Sequence, residues 1–495
     1  MHRLSSLVCR WRKRCERRVF REYSHRNGQL RFSAGLYSTG SDHRQNGPGC
    51  SLRLRCEGRS RLYVCSRSSG HNSARFKRAT PGKLNMFQYI RQHNTVAFAI
   101  SVCIACNVLA FFSYPVIIYY LVLFLASGYV FFKATRITFC ILSLLIGCAL
   151  SILFNNIPSL FHAESRFIYF SLLLIVASPL LTSQSLTNLR QNMFIWMIWL
   201  SLLIGTGSLL AYFLGINLAR NDIDFAFAVN AGSFGGITLH SMLMGPFAGI
   251  GMCYMLWGIL SQKIAAQKVE YWKYIILACC IATTLLSSSR AANMATLAGA
   301  ISIVFFLFRK RQSKLVKYAF IASISVFISL PLMEVFSEGL VNKQIGNENM
   351  GSITASRNKA WQTRIHEFSN SPIVGIGFSS QTVSKDSGAI NLLSGKIEPG
   401  TSWGAVFSMT GLVGGLSFVC IVLISLSKVW QMVKKEDNWS SFLGGVLIIF
   451  LFHFIAEGYI FAGGSPLNFM FWLCVGVIFS LERYKLQPAS IPFFN

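Results

Sequence analysis

From about residue 95 onward the polar positions of this chain retreat into short gaps, and between them stand apolar runs of roughly 18–20 residues, the length a helix needs to cross a hydrocarbon core. The runs are 95–112, 114–132, 137–154, 166–182, 193–214, 239–260, 272–288, 291–308, 317–334, 402–426, 441–457 and 467–481. They predict an all-α polytopic membrane protein with about 12 transmembrane helices, over 86–334 (spans one to nine) and 402–495 (spans ten to twelve). Only one gap is long. Residues 335–401 are too few for a separate enzyme domain but enough for helices that lie over the membrane face. No internal repeat of useful strength appears, and the two halves lack the matched Gly/Pro-broken helices of inverted-repeat transporters.

Composition sharpens this picture. The chain is 53% hydrophobic and 13% charged, with mean hydropathy +0.48, where a soluble domain carries roughly 25% charged residues. The net charge of +28 would suggest a nucleic-acid partner were it not divided along the chain. Residues 1–85 hold 20 Lys and Arg against 4 Asp and Glu, and beyond them the excess sits in short gaps between apolar runs. There it orients a membrane protein, so nucleic-acid binding is set aside. With the N-terminus inside, the inner gaps hold seventeen cations, whereas the short outer gaps hold only Arg166, Arg220 and Arg290. The bias predicts both termini in the cytoplasm and residues 335–401 on the outer face. The cysteine pattern indicates neither a zinc site nor a disulfide framework, and no cofactor is expected.

Residues 1–85 differ from the rest. They are rich in Arg, Ser and Gly, poor in aliphatic residues and without periodicity, so they cannot bury enough apolar surface to offset ordering entropy. Three readings stand: a start at Met86, because Met86-Phe87-Gln88-Tyr89-Ile90-Arg91 before an apolar span is how many bacterial membrane proteins begin; a basic cytoplasmic tail; or a transit peptide. The first is favoured.

The few polar residues on the outer side carry the candidate chemistry. Arg290 follows Ser287-Ser288-Ser289 in a turn between two apolar spans, where a guanidinium can ligate a phosphate through bidentate, charge-assisted hydrogen bonds. Its plain alternative is an interfacial cation that snorkels to head groups. Arg220 joins it as a substrate-binding candidate. In the long loop Arg357, Trp361, Arg364 and Phe368 are spaced to share one face of a helix capped by Ser356. That face either lies in the head-group layer or directs two guanidiniums at a pyrophosphate, with the aromatics anchoring it over a lipid-linked substrate. Pro372 ends the helix, and Gly375 and Gly377 permit close backbone approach. Glu398, at the mouth of the returning helix, is a candidate general base because a low-dielectric boundary raises a carboxyl pKa; a solvated loop acid is its alternative. His240, His453 and Glu457 lie within or beside spans, where ionisable groups are functional candidates by default. A hydrogen bond to a neighbouring helix is the structural alternative for His240.

The order of these elements resembles the O-antigen ligase and O-antigen polymerase family of bacterial envelope glycan assembly. The resemblance runs from about Phe234 to Gly415: Gly235-Gly236-Ile237-Thr238-Leu239-His240-Ser241, then Ser287-Ser288-Ser289-Arg290, then Arg357, Trp361, Pro372, Gly375 and Gly377, and last Met409-Thr410-Gly411-Leu412-Val413-Gly414. It implies a GT-C-like enzyme of the inner membrane that takes a saccharide from undecaprenyl pyrophosphate at the periplasmic face without a metal. Membrane lipids and other polysaccharide-assembly proteins are its implied partners. The family's arginines are taken to bind the donor pyrophosphate, and a His before the returning helix is often proposed as the base. Residues 398–403 contain no His, so Glu398 takes that place here, with His240 as the other candidate. In this the chain resembles exopolysaccharide polymerases more than lipid A-core ligases. The competing class is a multi-span flippase or exporter of the same substrate, which would place charges deep along a pathway through the bundle.

Overall fold

The computed structural model describes residues 95–112, 116–155, 161–219, 234–313, 317, 355–382, 390–391, 396–397 and 400–481. Among them stand α1 (Thr95–Val108), α2 (Val116–Lys133), α3 (Phe139–Phe154), α4 (Ala163–Ala177), α5 (Gln184–Phe213), α6 (Ser241–Ile264), α7 (Tyr271–Leu286), α8 (Arg290–Phe308), α9 (Ala355–Asn370), α10 (Ser402–Lys434), α11 (Asn438–Ala456) and α12 (Pro466–Ser480). All but α9 follow the apolar runs of the sequence; the run 317–334, the extension 1–85, Arg220 and Glu398 lie outside the described residues. Helices α5, α6, α8, α10 and α11 are long and apolar enough to cross a membrane, and α1, α2, α3, α7 and α12 are apolar over shorter lengths. The architecture is that of an all-α, multi-pass membrane protein.

One boundary departs from the hydropathy reading for a physical reason. Helix α5 begins at Gln184, well ahead of the expected 193, because its first turns are polar yet buried. Arg190, 2% exposed, donates to the carbonyls of Val176 (3.2 Å), Ile175 (3.3 Å) and Leu181 (2.8 Å). These include carbonyls of the last turn of α4, which have no partner within their own helix. A hydropathy scan sees a charge where the fold uses a C-terminal cap.

Contacts between remote segments sort the helix termini into two ends. At one, strand β1 (Arg136–Ile137) pairs antiparallel with β2 (Leu181–Thr182), Trp257 Nε1 donates to Asn438 O at 2.7 Å, and Lys310 pairs with Glu436 at 2.6 Å. At the other, Leu109 bridges to Thr238, Tyr119 Oη donates to Gly463 O at 3.1 Å, and Asn155 Nδ2 donates to Gly375 O at 2.8 Å. The first is the basic end. Helix α8 finishes there, whereas α9 and the start of α10 lie at the opposite end.

Close helix approach and self-satisfied hydroxyls make this bundle compatible with lipid. A Cβ on Gly299 of α8 would sit 2.9 Å from Gly445 O of α11, and one on Gly147 of α3 would sit 2.9 Å from Gly414 N of α10. Small residues at crossings of this kind let backbones meet where there is no water to drive association. Ser101, Ser127, Ser201 and Ser425 each donate to the carbonyl four residues earlier in their own helix, so these four hydroxyls are satisfied within the apolar interior without water.

Candidate functional site

Helix α9 forms where its residues predict, from Ala355 to Asn370, so that Ser356 falls inside the first turn rather than at the cap. The anticipated face is one face, and it docks onto protein. Trp361 Nε1 donates to Ile455 O at 3.1 Å, and the Phe368 ring meets Phe407 edge-on at 5.9 Å. Gly400, at φ +73, would bring a Cβ within 2.4 Å of Ala360. The aromatics thus fasten α9 to the mouths of α10 and α11.

Those mouths are themselves stapled together. Ser402 donates through N (3.0 Å) and Oγ (2.7 Å) to Glu457 O, and its Oγ accepts from Tyr459 N at 3.1 Å. Thr401 Oγ1 donates to Phe454 O at 3.0 Å. The effect is to hold Glu457, just past the end of α11, with its side chain 8% exposed beneath α9. Arg357 Nη2 reaches it at 2.8 Å, itself 27% exposed.

Around this pair the polar groups converge. The Arg357 charge acts on Arg290, at the first turn of α8, and on His453, one turn back along α11. His453 Nδ1 lies 2.9 Å from Tyr459 Oη, while its Nε2 is buried without a partner among the described residues. Burial pushes the Tyr459 phenol up, and the nearby Glu457 carboxylate adds to the rise. The amide of Asn293, one turn beyond Arg290, is also buried without a partner among the described residues. Two guanidiniums, a carboxylate and a His–Tyr pair therefore share one rim, and an anion that bridged the arginines would compete directly with Glu457.

Arg364 takes a different place. Its guanidinium, 2% exposed, pairs with Glu367 at 2.8 Å, 0% exposed, and donates to Ser380 O and Ser408 Oγ. Glu367 accepts from Thr382 N at 2.7 Å. Burial pulls the Arg364 guanidinium below its usual value, and the Glu367 carboxylate works against that pull. This pair anchors the chain that follows α9, and that chain enters a break in α10. Gly411 departs from helical geometry at φ 60, ψ −158, so the α10 ladder is interrupted. Leu412 N donates instead to Pro372 O (2.8 Å) and Val413 N to Ile373 O (3.3 Å), while Ser408 O accepts from Ile376 N at 2.8 Å. Gly375, at φ +78, passes so near that a Cβ would lie 2.4 Å from Met409 C.

His240 caps α6, its Nδ1 accepting from Met242 N at 3.1 Å. Gly245, about one turn further on, faces Ser287 and Ala292, which places the His240 cap at the Arg290 end. The structure thus sets Arg290 within electrostatic reach of Arg357, puts Arg364 into a buried pair, and pairs Arg357 with Glu457, while Glu398 lies outside the described residues. A second feature escaped the sequence: Arg166 Nη1 donates to Ser379 Oγ at 2.9 Å and lines a cavity of about 220 Å³. Its only signal was its place among the three outer cations.

A helical membrane protein with a cationic rim at one bundle end defines the class. Residues 275–419 match the family model described as O-antigen ligase, so over this segment the chain carries an O-antigen ligase family domain. The matched segment contains Arg290, Arg357, Trp361 and Arg364 and the Gly411 break, and it excludes Arg166, His240 and Glu457. It supports a role in polysaccharide assembly. No curated protein matches the chain.

Proposed function

We propose that this protein polymerises or ligates a bacterial surface polysaccharide, transferring a saccharide from undecaprenyl pyrophosphate to an acceptor hydroxyl at the outer face of the inner membrane. The observation that carries this reading is the Arg357–Glu457 pair with Arg290 beside it. In the reaction the bond from the anomeric carbon to the pyrophosphate oxygen breaks, and its electrons leave with the pyrophosphate. The acceptor oxygen bonds to the anomeric carbon and loses its proton. Arg290 and Arg357 supply the counter-charge for the leaving group in place of a metal ion. When the pyrophosphate takes Arg357, the Glu457 carboxylate is released and receives the acceptor proton. Glu398 and His240 are the other candidate bases; the His240 ring has one nitrogen committed to the α6 cap.

With both termini cytoplasmic and residues 335–401 periplasmic, this rim faces the donor after it has been flipped. The transport alternative is less well supported, because among the described apolar helices the charged residues stand near the ends rather than midway along a path. The test is Glu457→Gln in the full-length protein, reconstituted with lipid-linked donor. Turnover falls by about 10²–10⁴, while donor binding tightens because the competing carboxylate is gone. Full turnover in this variant overturns the role of Glu457; a bilayer that shows donor translocation and no glycosidic bond formation overturns the enzyme reading.

A further inference from the structure

The cavity beside Arg166 is separate from the arginine rim in its lining. Tyr120 of α2 and Tyr169 of α4 stack at 3.7 Å with their planes 12° apart, and with Arg166, Ser379 and Phe461 they wall a space of about 220 Å³. Ala405 and Met409 of α10 form part of the remaining wall, and the rest is the connector from α11 to α12, which is pinned in place. Tyr119 Oη donates to Gly463 O at 3.1 Å and Asn107 Nδ2 to Gly464 O at 3.0 Å. A Cβ on Gly464 would come within 2.9 Å of Tyr120 Oη, so the connector presents bare backbone against the tyrosines. Gly458, the residue after Glu457, also lines the cavity, which places it next to the reaction centre.

The chemistry of the walls selects a ligand. A phosphate calls for several converging donors, and this lining offers one guanidinium among aromatic, aliphatic and small residues. A ring-shaped body with C–H faces, hydroxyl groups and one negative charge suits it better. We propose that the cavity is a subsite for an acidic sugar residue, a pyranose bearing a carboxylate, with Arg166 as its counter-ion and the Tyr120, Tyr169 and Phe461 rings against its faces. The assignment of that sugar to a growing glycan rests on the proposed function, whereas the anion selectivity of the cavity does not.

The experiment uses the full-length protein in nanodiscs of zwitterionic lipid, with saturation-transfer NMR on glucuronate and glucose and with inorganic phosphate as a competitor of glucuronate. Glucuronate is expected to bind, with a preference over glucose of about 10- to 100-fold, the worth of one charge-assisted hydrogen bond. Arg166→Gln removes that preference, and Ser379→Ala, which removes one hydrogen-bond partner of Arg166 without touching the charge, weakens it. Displacement of glucuronate by equimolar phosphate, or a preference that survives Arg166→Gln, overturns the proposal and marks the cavity as a head-group contact or a structural arginine. If Arg166→Gln loses the fold, an unchanged preference in Ser379→Ala overturns it just as well. Arg166-dependent glucuronate binding in a protein that transfers no glycan would leave the subsite standing and sink the reading of function.

Discussion

Arg357 and Arg364 sit on one face of one helix, two turns apart, and the molecule uses them in opposite ways. Arg357 is partly open and meets a carboxylate offered from another helix, 100 residues on. Arg364 is closed off, with its carboxylate three residues away, a carbonyl partner from the chain it anchors and a hydroxyl partner from α10. A pair that must exchange partners needs an open side. A pair that must hold a loop in a break of α10 needs none. Residue type and spacing are the same for both; what differs is what the rest of the fold brings to each.

The comparison can be broken most forcefully at the closed pair. Glu367→Gln leaves the Arg364 charge buried without its counter-ion and is expected to cost about 3–5 kcal/mol, read as a fall in thermal unfolding temperature and in protein level. Replacing both members, Arg364→Met with Glu367→Leu, is expected to restore most of that stability and to leave glycosyl transfer measurable. A stable but inactive double variant would move Arg364 into the binding machinery. At the open pair the signs reverse. Arg357→Lys keeps the charge but loses the planar fork, and activity is expected to fall about 10²–10³-fold with unfolding temperature close to that of the parent. A smaller effect comes from Trp361→Phe, which removes the hydrogen bond to Ile455 O and is expected to cost about 1 kcal/mol, with a modest rise in donor KM as α9 loosens. An unchanged KM there would mean that Arg357 is held by Glu457 alone.

How far the sequence could be read follows the same division. The helices were legible because an apolar run is a local property, and α9 was legible because the spacing of Arg357, Trp361, Arg364 and Phe368 is local too. The match over residues 275–419 agrees with the order of motifs that suggested the family. The partners of those residues were not legible. Glu367 stands inside the same helix, yet nothing in its spacing says that Ser380 and Ser408 will close over Arg364. Glu457 stood out as an acid at the edge of a span, but its meeting with Arg357 depends on Ser402 and Thr401 drawing α10 against α11. Arg166 was visible as a charge and invisible as a cavity wall, because the cavity is made by a connector whose glycines carry no signal of their own.

The broken ladder of α10 has a consequence for how the chain is assembled. Its missing partners come from Pro372, Ile373 and Ile376, which leave the ribosome before Ser408–Val413 do. When the break in α10 arrives in the bilayer, the backbone that completes it has already been made. A naked gap in a spanning helix would strand polar groups in hydrocarbon. Here the order of synthesis makes the splint before the fracture, because residues 372–376 precede the helix whose break they complete.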